Sequence, residues 1–382
     1  MATFLLLISL YGKLIRFHVL YIVFDIRIFC KYNSYMDMQN LLEKLLKKGL
    51  QDGAFPGAVA ACGDREHVYA LSHVGKIAEN GPEVTEETRY DMASLSKVLG
   101  TTMVAFKALE NGDISLYDKL PNFFENVPED KKEISIYQLM THTAGFNPSF
   151  RLDQLVDSPD KALRAILDSK LDHKPGETPD YSCMGYITLG KVLESLYGKP
   201  LKQLAQEMVF EPLAMKNTCY CPTGDNIAAT EIDPETGKAW VGVVHDENAR
   251  FLEGNSGNAG VFSDIHDMIR FAQMLSRMGD GFLSPALMKT AIRCHAASAD
   301  GEVRRGLGFH LSGTPMCYMG ELMPPTSFGH TGFTGTSLAI DPETGFWAVL
   351  LANRVHPTRA NVAMFPFRRR MHNALYAEYT KG

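Results

Sequence analysis

Ser94 and Lys97 stand three residues apart in the stretch Tyr90-Asp91-Met92-Ala93-Ser94-Leu95-Ser96-Lys97. A serine hydroxyl is a weak nucleophile near neutral pH and needs a neighbour that takes or relays its proton. On a helix, positions i and i+3 share a face, so Lys97 comes beside Ser94 while Leu95 and Ser96 point elsewhere. A helix N-terminus would add free N–H groups and a partial positive charge, which favour developing negative charge. The chemistry this points to is acyl transfer through a serine ester. The spacing recurs at Ser158-Pro159-Asp160-Lys161. There, a proline at the first helical position and an acidic first turn read as an ordinary helix start capped by Ser158. Spacing alone therefore does not decide, and the elements around each pair must.

The chain of 382 residues is long enough for one large or two smaller domains, and 45% apolar with 21% charged residues is ordinary for a globular protein. The net charge of −6 and the lack of a long basic run before Arg368-Arg369-Arg370 give no reason to expect nucleic acid. That triplet reads as the solvated face of a terminal helix. Seven scattered cysteines without a Cys-x-x-Cys argue against a disulfide framework or a zinc site and fit a reducing, cytoplasmic setting. Cys219 and Cys221 lack a matching pair elsewhere, and His245-Asp246-Glu247 are adjacent residues that point apart. No metal is expected at either. Nothing in the chain implies a cofactor.

Residues 1–35 form an atypical extension. Phe4–Leu10 and Phe17–Phe24 are apolar, but Lys13, Arg16, Asp25, Arg27 and Lys31 break them up before a spanning length is reached. An anchor lying on a membrane, an irregular extension and translated sequence upstream of the true start are the readings open, and the last is favoured. From Met38 the leucine pattern is that of an amphipathic helix. Ala58–Cys62 and His67–Leu71 around Gly63-Asp64 give a hairpin. Helical patterns follow over 97–111, 162–167, 184–197 and 201–210, then Ile265–Met278 and Arg368–Tyr379. Trp240–Val244 is an apolar, β-branched run. Thr336–Ile340 and Phe346–Leu351 form a second hairpin, apolar enough to lie centrally and be covered on both faces. Strands near both ends with helices between them suggest a mixed lobe from 36–90 and 225–382, with a helical lobe, 91–224, inserted into it.

Three phrases, Ser94-x-x-Lys97, Tyr181-Ser182-Cys183 and His330-Thr331-Gly332, occur in an order and in contexts that resemble the penicillin-recognising serine hydrolases. That group includes class C β-lactamases, D-Ala-D-Ala carboxypeptidases, D-aminopeptidases and related esterases. Leu139–Gly145, Pro212–Thr218 and Ala259–Ser263 look like the family too, so the resemblance runs over about residues 38–379. It implies an α+β, β-lactamase/transpeptidase-like fold: an antiparallel sheet flanked by helices, plus the inserted helical lobe. It also implies roles. Ser94 is acylated, Lys97 assists proton removal, and Tyr181 shuttles the proton. His330 takes the place of the family's lysine on the strand beside the nucleophile. The amides of Ser94 and Phe333 form the oxyanion hole, and Cys183, Thr331, Gly332 and Phe333 meet the substrate. The phrase around His142 reads as a structural turn.

Two departures shape the expected substrate. Cys183 stands where the family often has an asparagine that holds a substrate amide, and a thiol is a poor hydrogen-bond partner. His330 replaces a permanently charged lysine with a side chain that is able to be neutral. The expectation is a serine hydrolase acting through a Ser94 acyl-enzyme on a small ester or a D-amino-acid peptide. D-Ala-D-Ala carboxypeptidase or weak β-lactamase activity is the alternative. A catalytically silent ligand-binding module is the non-enzyme alternative. The partner expected is a small molecule or a short peptide, with no inference about oligomeric state.

Overall fold

The structure, a computed structural model, describes residues 36–381. The extension 1–35 and the readings made of it lie outside the described residues.

The strands are β1 (Gly57–Gly63), β2 (Val68–Gly75), β3 (Tyr90–Asp91), β4 (Cys219–Tyr220), β5 (Val261–Ser263), β6 (Ala296–Ala297), β7 (Arg304–Arg305), β8 (His310–Leu311), β9 (Phe328–Thr331), β10 (Ser337–Ile340) and β11 (Trp347–Ala352). The helices are α1 (36–51), α2 (Met103–Asn111), α3 (Ile136–Met140), α4 (Ala162–Asp168), α5 (Cys183–Tyr197), α6 (Leu201–Ala205), α7 (Glu247–Phe251), α8 (Ile265–Ser276), α9 (Pro285–Ala291) and α10 (Met364–Tyr379). The large sheet runs β2-β1-β11-β10-β9-β8-β7-β6, antiparallel throughout. The first strand thus pairs with the last, Ala58 opposite Ala352. A small sheet, β3-β5-β4, joins Tyr90–Asp91 to Val261–Ser263.

Strand alternation explains the layering. Val59 and Ala61 of β1 and Trp347, Val349 and Leu351 of β11 face one core, shared with α2, α5 and α8. Ala58, Ala60 and Cys62, with Ala348, Leu350 and Ala352, face the other, closed by α1 and α10. Residues i and i+2 share a sheet face, and both faces here are apolar, so β1 and β11 are buried along their length. The expected antiparallel sheet flanked by helices is what is found.

Some local readings shift. Helix α10 starts at Met364, four residues before the expected Arg368, because Pro366 sits in its first turn, where a missing N–H costs nothing. Arg368 is only 4% exposed, so the triplet is not a uniformly solvated face. Trp240–Val244 is irregular rather than extended, and Val241 and Val243 are exposed. No described helix is long and apolar enough to cross a membrane.

Candidate active site

The chain reaches Ser94 through a constrained turn. Strand β3 ends at Asp91, whose carboxylate is buried. Its Oδ1 accepts from the Ala93 N–H at 2.8 Å and its Oδ2 from the His245 N–H at 2.7 Å. Ala93 has φ +46°, a left-handed conformation that a side chain disfavours, and the Asp91 bond helps to hold it there. A single 3₁₀ turn, Ala93–Leu95, presents Ser94, and a π-helical turn, Lys97–Thr102, leads into α2. Ser94 therefore lies on a tight turn before the helix rather than on its first regular turn. Ser96 Oγ, pointing away, accepts from the Val261 N–H at 3.0 Å and pins the turn to β5.

Lys97 is fully buried. Its Nζ donates to Ser94 Oγ at 3.0 Å and to the Asn258 carbonyl at 2.9 Å, and lies 3.6 Å from Cys183 Sγ. Burial works against its charge, but Cys183 and Tyr181 beside it more than offset this, and the net displacement is upward, towards the ammonium. Asn258 is held in turn: its Nδ2 donates to Asp246 Oδ1 at 2.9 Å, and its Oδ1 accepts from Ser256 Oγ at 2.6 Å. Asp246 also caps α7 through the Ala249 N–H. His245, Asp246 and Glu247 thus serve three separate partners: His245 Nε2 meets Glu231 at 2.8 Å, and Glu247 pairs with Arg359 at 2.8 Å. No cluster able to hold a metal is found among the described residues.

Tyr181 lies just before α5, where Ser182 caps the helix by accepting from the Met184 N–H. Its ring centroid is 4.9 Å from Lys97 Nζ, and its hydroxyl is buried without a hydrogen-bond partner. Three imidazoles surround it, with ring centroids 4.5 Å (His142), 6.0 Å (His330) and 6.2 Å (His310) away. Burial pushes all three well below the usual histidine range, and the nearby Lys97 and Arg305 charges act in the same direction. They are neutral near pH 7. His330 Nδ1 lies 2.8 Å from the Thr331 carbonyl, so Nδ1 carries the proton and Nε2 is left free. His142 Nδ1 accepts from the Ser182 N–H, and its backbone has φ +58°, so the expected structural turn also supplies a wall of the site.

Strand β9 runs to the turn that carries Ser94. A Cβ on Gly332 would fall 2.4 Å from the Met92 carbonyl oxygen, so only glycine lets the two segments approach. Thr334 Oγ1 and Thr336 Oγ1 donate to the Asp91 and Met92 carbonyls at 2.6 and 3.2 Å. The Phe333 ring stands 48% exposed, stacked on His245 at 5.7 Å with the Arg354 guanidinium 4.4 Å from its centroid.

The structure thus gathers Ser94, Lys97, Cys183 and Tyr181 directly, with His330 one ring further out. Thr331, Gly332 and Phe333 lie along the adjoining strand end. Sequence reasoning did not pick out Asp91, Asn258, Arg305 or His310. Asp91 precedes the motif by three residues, and its role depends on a contact with His245, 154 residues away in sequence.

Comparison with known proteins agrees with this geometry. A family model described as Beta-lactamase matches residues 42–371. A Salmonella enteritidis protein provisionally named a D-alanyl-D-alanine carboxypeptidase is 32% identical over 336 residues, covering 78% of this chain and 77% of the relative. A Salmonella typhi protein with the same name matches with the same identity and coverage. Among solved structures, EstCE1, a hydrolase with promiscuous acyltransferase activity, superposes with a TM-score of 0.74 at 21% identity, over 90% of this chain and 99% of that one. A class C β-lactamase from Rhodobacter sphaeroides gives a TM-score of 0.70 at 18% identity, over 88% of this chain and 100% of the other.

Proposed function

Because this chain belongs to the beta-lactamase family, a family of serine hydrolases, we propose that Ser94 is its acylated nucleophile and that Lys97 and Tyr181 manage the proton. The observation that carries this is the 3.0 Å contact from a fully buried Lys97 Nζ to Ser94 Oγ. An ammonium donates and does not accept. The Ser94 proton must therefore go elsewhere when Oγ attacks a carbonyl carbon, and Tyr181 is the group to receive it: its ring lies 4.9 Å from Lys97 Nζ and its Oη is buried without a partner. Lys97 fixes the serine rotamer and offsets negative charge on the tyrosine oxygen. Its own placement is enforced by the Asn258 carbonyl.

The rest of the cycle follows from the same groups. The tetrahedral oxyanion is held by the Ser94 and Phe333 amides, each donor worth about 3 kcal/mol in the transition state. Tyr181 returns the proton to the leaving group, which departs and leaves an ester on Ser94. Water, deprotonated by the same pair, then releases the acyl group. His330, neutral and with Nε2 free, is a hydrogen-bond acceptor where a lysine would supply a fixed charge. Cys183 occupies the position from which an amide-holding asparagine would work. Both features support a small ester or a D-amino-acid peptide as substrate over a β-lactam. The carboxypeptidase name of the Salmonella relatives supports the peptide side. The lobe division at about residues 91 and 224 belongs to the same proposal, and puts Ser94 where the two lobes meet.

Two assays test this reading. Wild type should hydrolyse p-nitrophenyl acetate, and Ser94→Ala should not. Intact-protein mass after incubation with a penicillin should show an adduct, if any forms, on wild type only. A Ser94→Ala protein that kept wild-type turnover would sink the assignment.

A further inference from the structure

Arg305 is a buried charge that fastens nothing. It is 7% exposed, its Nε and Nη1 have no hydrogen-bond partner, and no ion pair ties it to a carboxylate among the described residues. Arg354 shows how this chain uses a guanidinium to hold the fold: it is 1% exposed and donates to the Phe333, Arg359 and Asn361 carbonyls. A guanidinium stays protonated in a protein, and burying it without acceptors opposes folding. The backbone of Arg305 is nevertheless firmly placed. It pairs with Ala296 on β6 and His310 on β8. In the turn between β7 and β8, the Gly306 N–H donates to the Phe309 carbonyl at 2.9 Å and the Gly308 N–H to the Met140 carbonyl at 3.0 Å. A Cβ on Gly308 would fall 2.5 Å from Thr102 Oγ1, so this hairpin closes on the end of the π-helical turn that Lys97 begins.

The placement sets a cation against Tyr181. The guanidinium carbon lies 5.2 Å from the Tyr181 ring centroid, and Lys97 Nζ lies 4.9 Å from it. The other titratable groups around the ring are His142, His310 and His330, neutral near pH 7, and the Cys183 thiol beside Lys97, which burial pushes up. Lys97 is already committed, because it donates to Ser94 Oγ and to the Asn258 carbonyl. Arg305 has no competing partner. Burial lowers its proton affinity, and Tyr181 is the largest of the influences that raise it. A cation within about 6 Å of an aromatic centroid is attracted to the ring. The attraction grows as the phenol oxygen gains negative charge.

We propose that Arg305 is a positioning residue for proton transfer, whose charge acts through Tyr181 by offsetting the negative charge with which the tyrosine oxygen takes the Ser94 proton. This rests on the hydrolase reading. The proton passes from Ser94 Oγ to Tyr181 Oη as Oγ bonds to the carbonyl carbon. It passes from Oη to the leaving group as that group's bond to the carbonyl carbon breaks. Arg305 exchanges no proton.

Steady-state hydrolysis of p-nitrophenyl acetate by the full chain tests this, because the neutral ester carries no anion for a guanidinium to bind. Arg305→Met should lower kcat by about tenfold or more and leave KM within about twofold. Arg305→Lys, which restores a charge, should recover most of that loss. Arg305 lines a cavity of about 380 Å³, large enough to admit a free guanidinium ion. Guanidinium chloride, but not sodium chloride of equal strength, should therefore raise the turnover of Arg305→Ala. In a Tyr181→Phe background, Arg305→Met should change the remaining rate by less than about twofold. Circular dichroism shows whether the variants fold; if the alanine and methionine variants do not, the kcat of Arg305→Lys decides. If Tyr181→Phe leaves no rate to measure, the kcat loss and its recovery by guanidinium decide. An unchanged kcat in Arg305→Met, a loss as large with Tyr181→Phe as without it, or a loss that neither lysine nor guanidinium repairs each overturns the inference. Wild-type turnover by Ser94→Ala or Tyr181→Phe instead overturns the hydrolase reading on which it rests.

Discussion

At Ser94–Lys97 the lysine is fully buried, bonded to its serine and to the Asn258 carbonyl, and stands beside a thiol and a phenol. At Ser158–Lys161, with the same spacing, the lysine is exposed and pairs with Asp157 at 2.7 Å. Ser158 has extended backbone and makes no capping bond, although Pro159 and Asp160 open the turn before α4 as expected. The two stretches differ in what surrounds the amine. Water and an exposed carboxylate leave Lys161 an ordinary surface charge. Burial with a few fixed partners makes the Lys97 amine a strong, oriented donor, held by the Asn258 carbonyl and aimed at Ser94 Oγ.

The sharpest way to break this comparison is to remove each serine. Ser94→Ala should lower ester turnover by about 10³-fold or more, whereas Ser158→Ala should leave it within about twofold. Initial rates on p-nitrophenyl acetate decide, with thermal melts to show that both variants fold. Equal losses would mean that the turn at Ala93–Leu95 has been misassigned. Next in size is Lys97→Met, expected to cost about 10²–10³-fold in turnover. Its effect on stability should be modest, at most about 2 kcal/mol, because an apolar side chain of similar length removes a buried charge and leaves mainly the Asn258 carbonyl unpaired. A large stability loss with turnover retained would make Lys97 a structural residue.

The turn itself provides the third test. Asp91→Ala leaves the Ala93 and His245 N–H groups without their acceptor. Two buried unpaired donors should cost about 2–4 kcal/mol in urea unfolding, and turnover should fall as the strained Ala93 relaxes. Asp157→Ala, which removes the carboxylate partner of Lys161, should leave both the unfolding midpoint and turnover unchanged.

How much of this was legible beforehand depends on distance along the chain. The Ser94–Lys97 pairing follows from helical spacing, and the two hairpins follow from short β-branched runs bounded by turns. Asp91 and Asn258 carry no local signal, because their importance comes from partners over a hundred residues away. Arg305 drew no reading at all, and Arg368 was read as part of a solvated basic face. Single-strand pattern cannot show that β7 and α10 turn these guanidinium groups towards one cavity. Trp240–Val244 had the composition of a strand, but it joins neither sheet, Trp240 bonding the backbone of Thr230 and Glu231, and two of its valines are exposed. His142 was read correctly as part of a turn, though the turn also places its ring 4.5 Å from Tyr181.

A fourth prediction concerns acid. The folded-state values of His142, His310 and His330 lie below the ordinary histidine value of about 6.5. The unfolded chain therefore binds more protons as pH falls through that value. The stability these groups contribute is complete above pH 6.5 and is lost below it, by about 1.4 kcal/mol per pH unit for each imidazole. Asp91 acts in the opposite sense: burial raises its carboxyl, so its neutral form favours folding as pH drops. His372, which burial lowers to about 3, joins the imidazoles, and Asp267, which burial raises, joins Asp91; four imidazoles outweigh two carboxyls between pH 6.5 and 5, and the urea midpoint should fall over that range. His330→Gln should flatten the fall by about one imidazole's share. An unchanged slope would mean that His330 takes up its proton as readily folded as unfolded, and would overturn the neutral imidazole placed here.

The smallest expected effect is the most discriminating for the idea that surroundings, not spacing, make the motif. Lys161 is on the surface, its amine reaching only Asp157 four residues earlier. Exposed i,i+4 pairs are screened by salt and cost side-chain entropy to hold in place. Lys161→Met should therefore leave turnover within about twofold, and should move the thermal midpoint by no more than adding 0.5 M salt does, because salt already cancels most of what the pair contributes. Lys97→Met, by contrast, should be insensitive to salt in both readouts, since the Lys97 ammonium is sealed from counterions by Asn258, Cys183 and Tyr181. If salt restored part of the activity lost on mutating Lys97, or if Lys161→Met impaired turnover, the contrast between a buried and a solvated amine would not be what separates the two stretches.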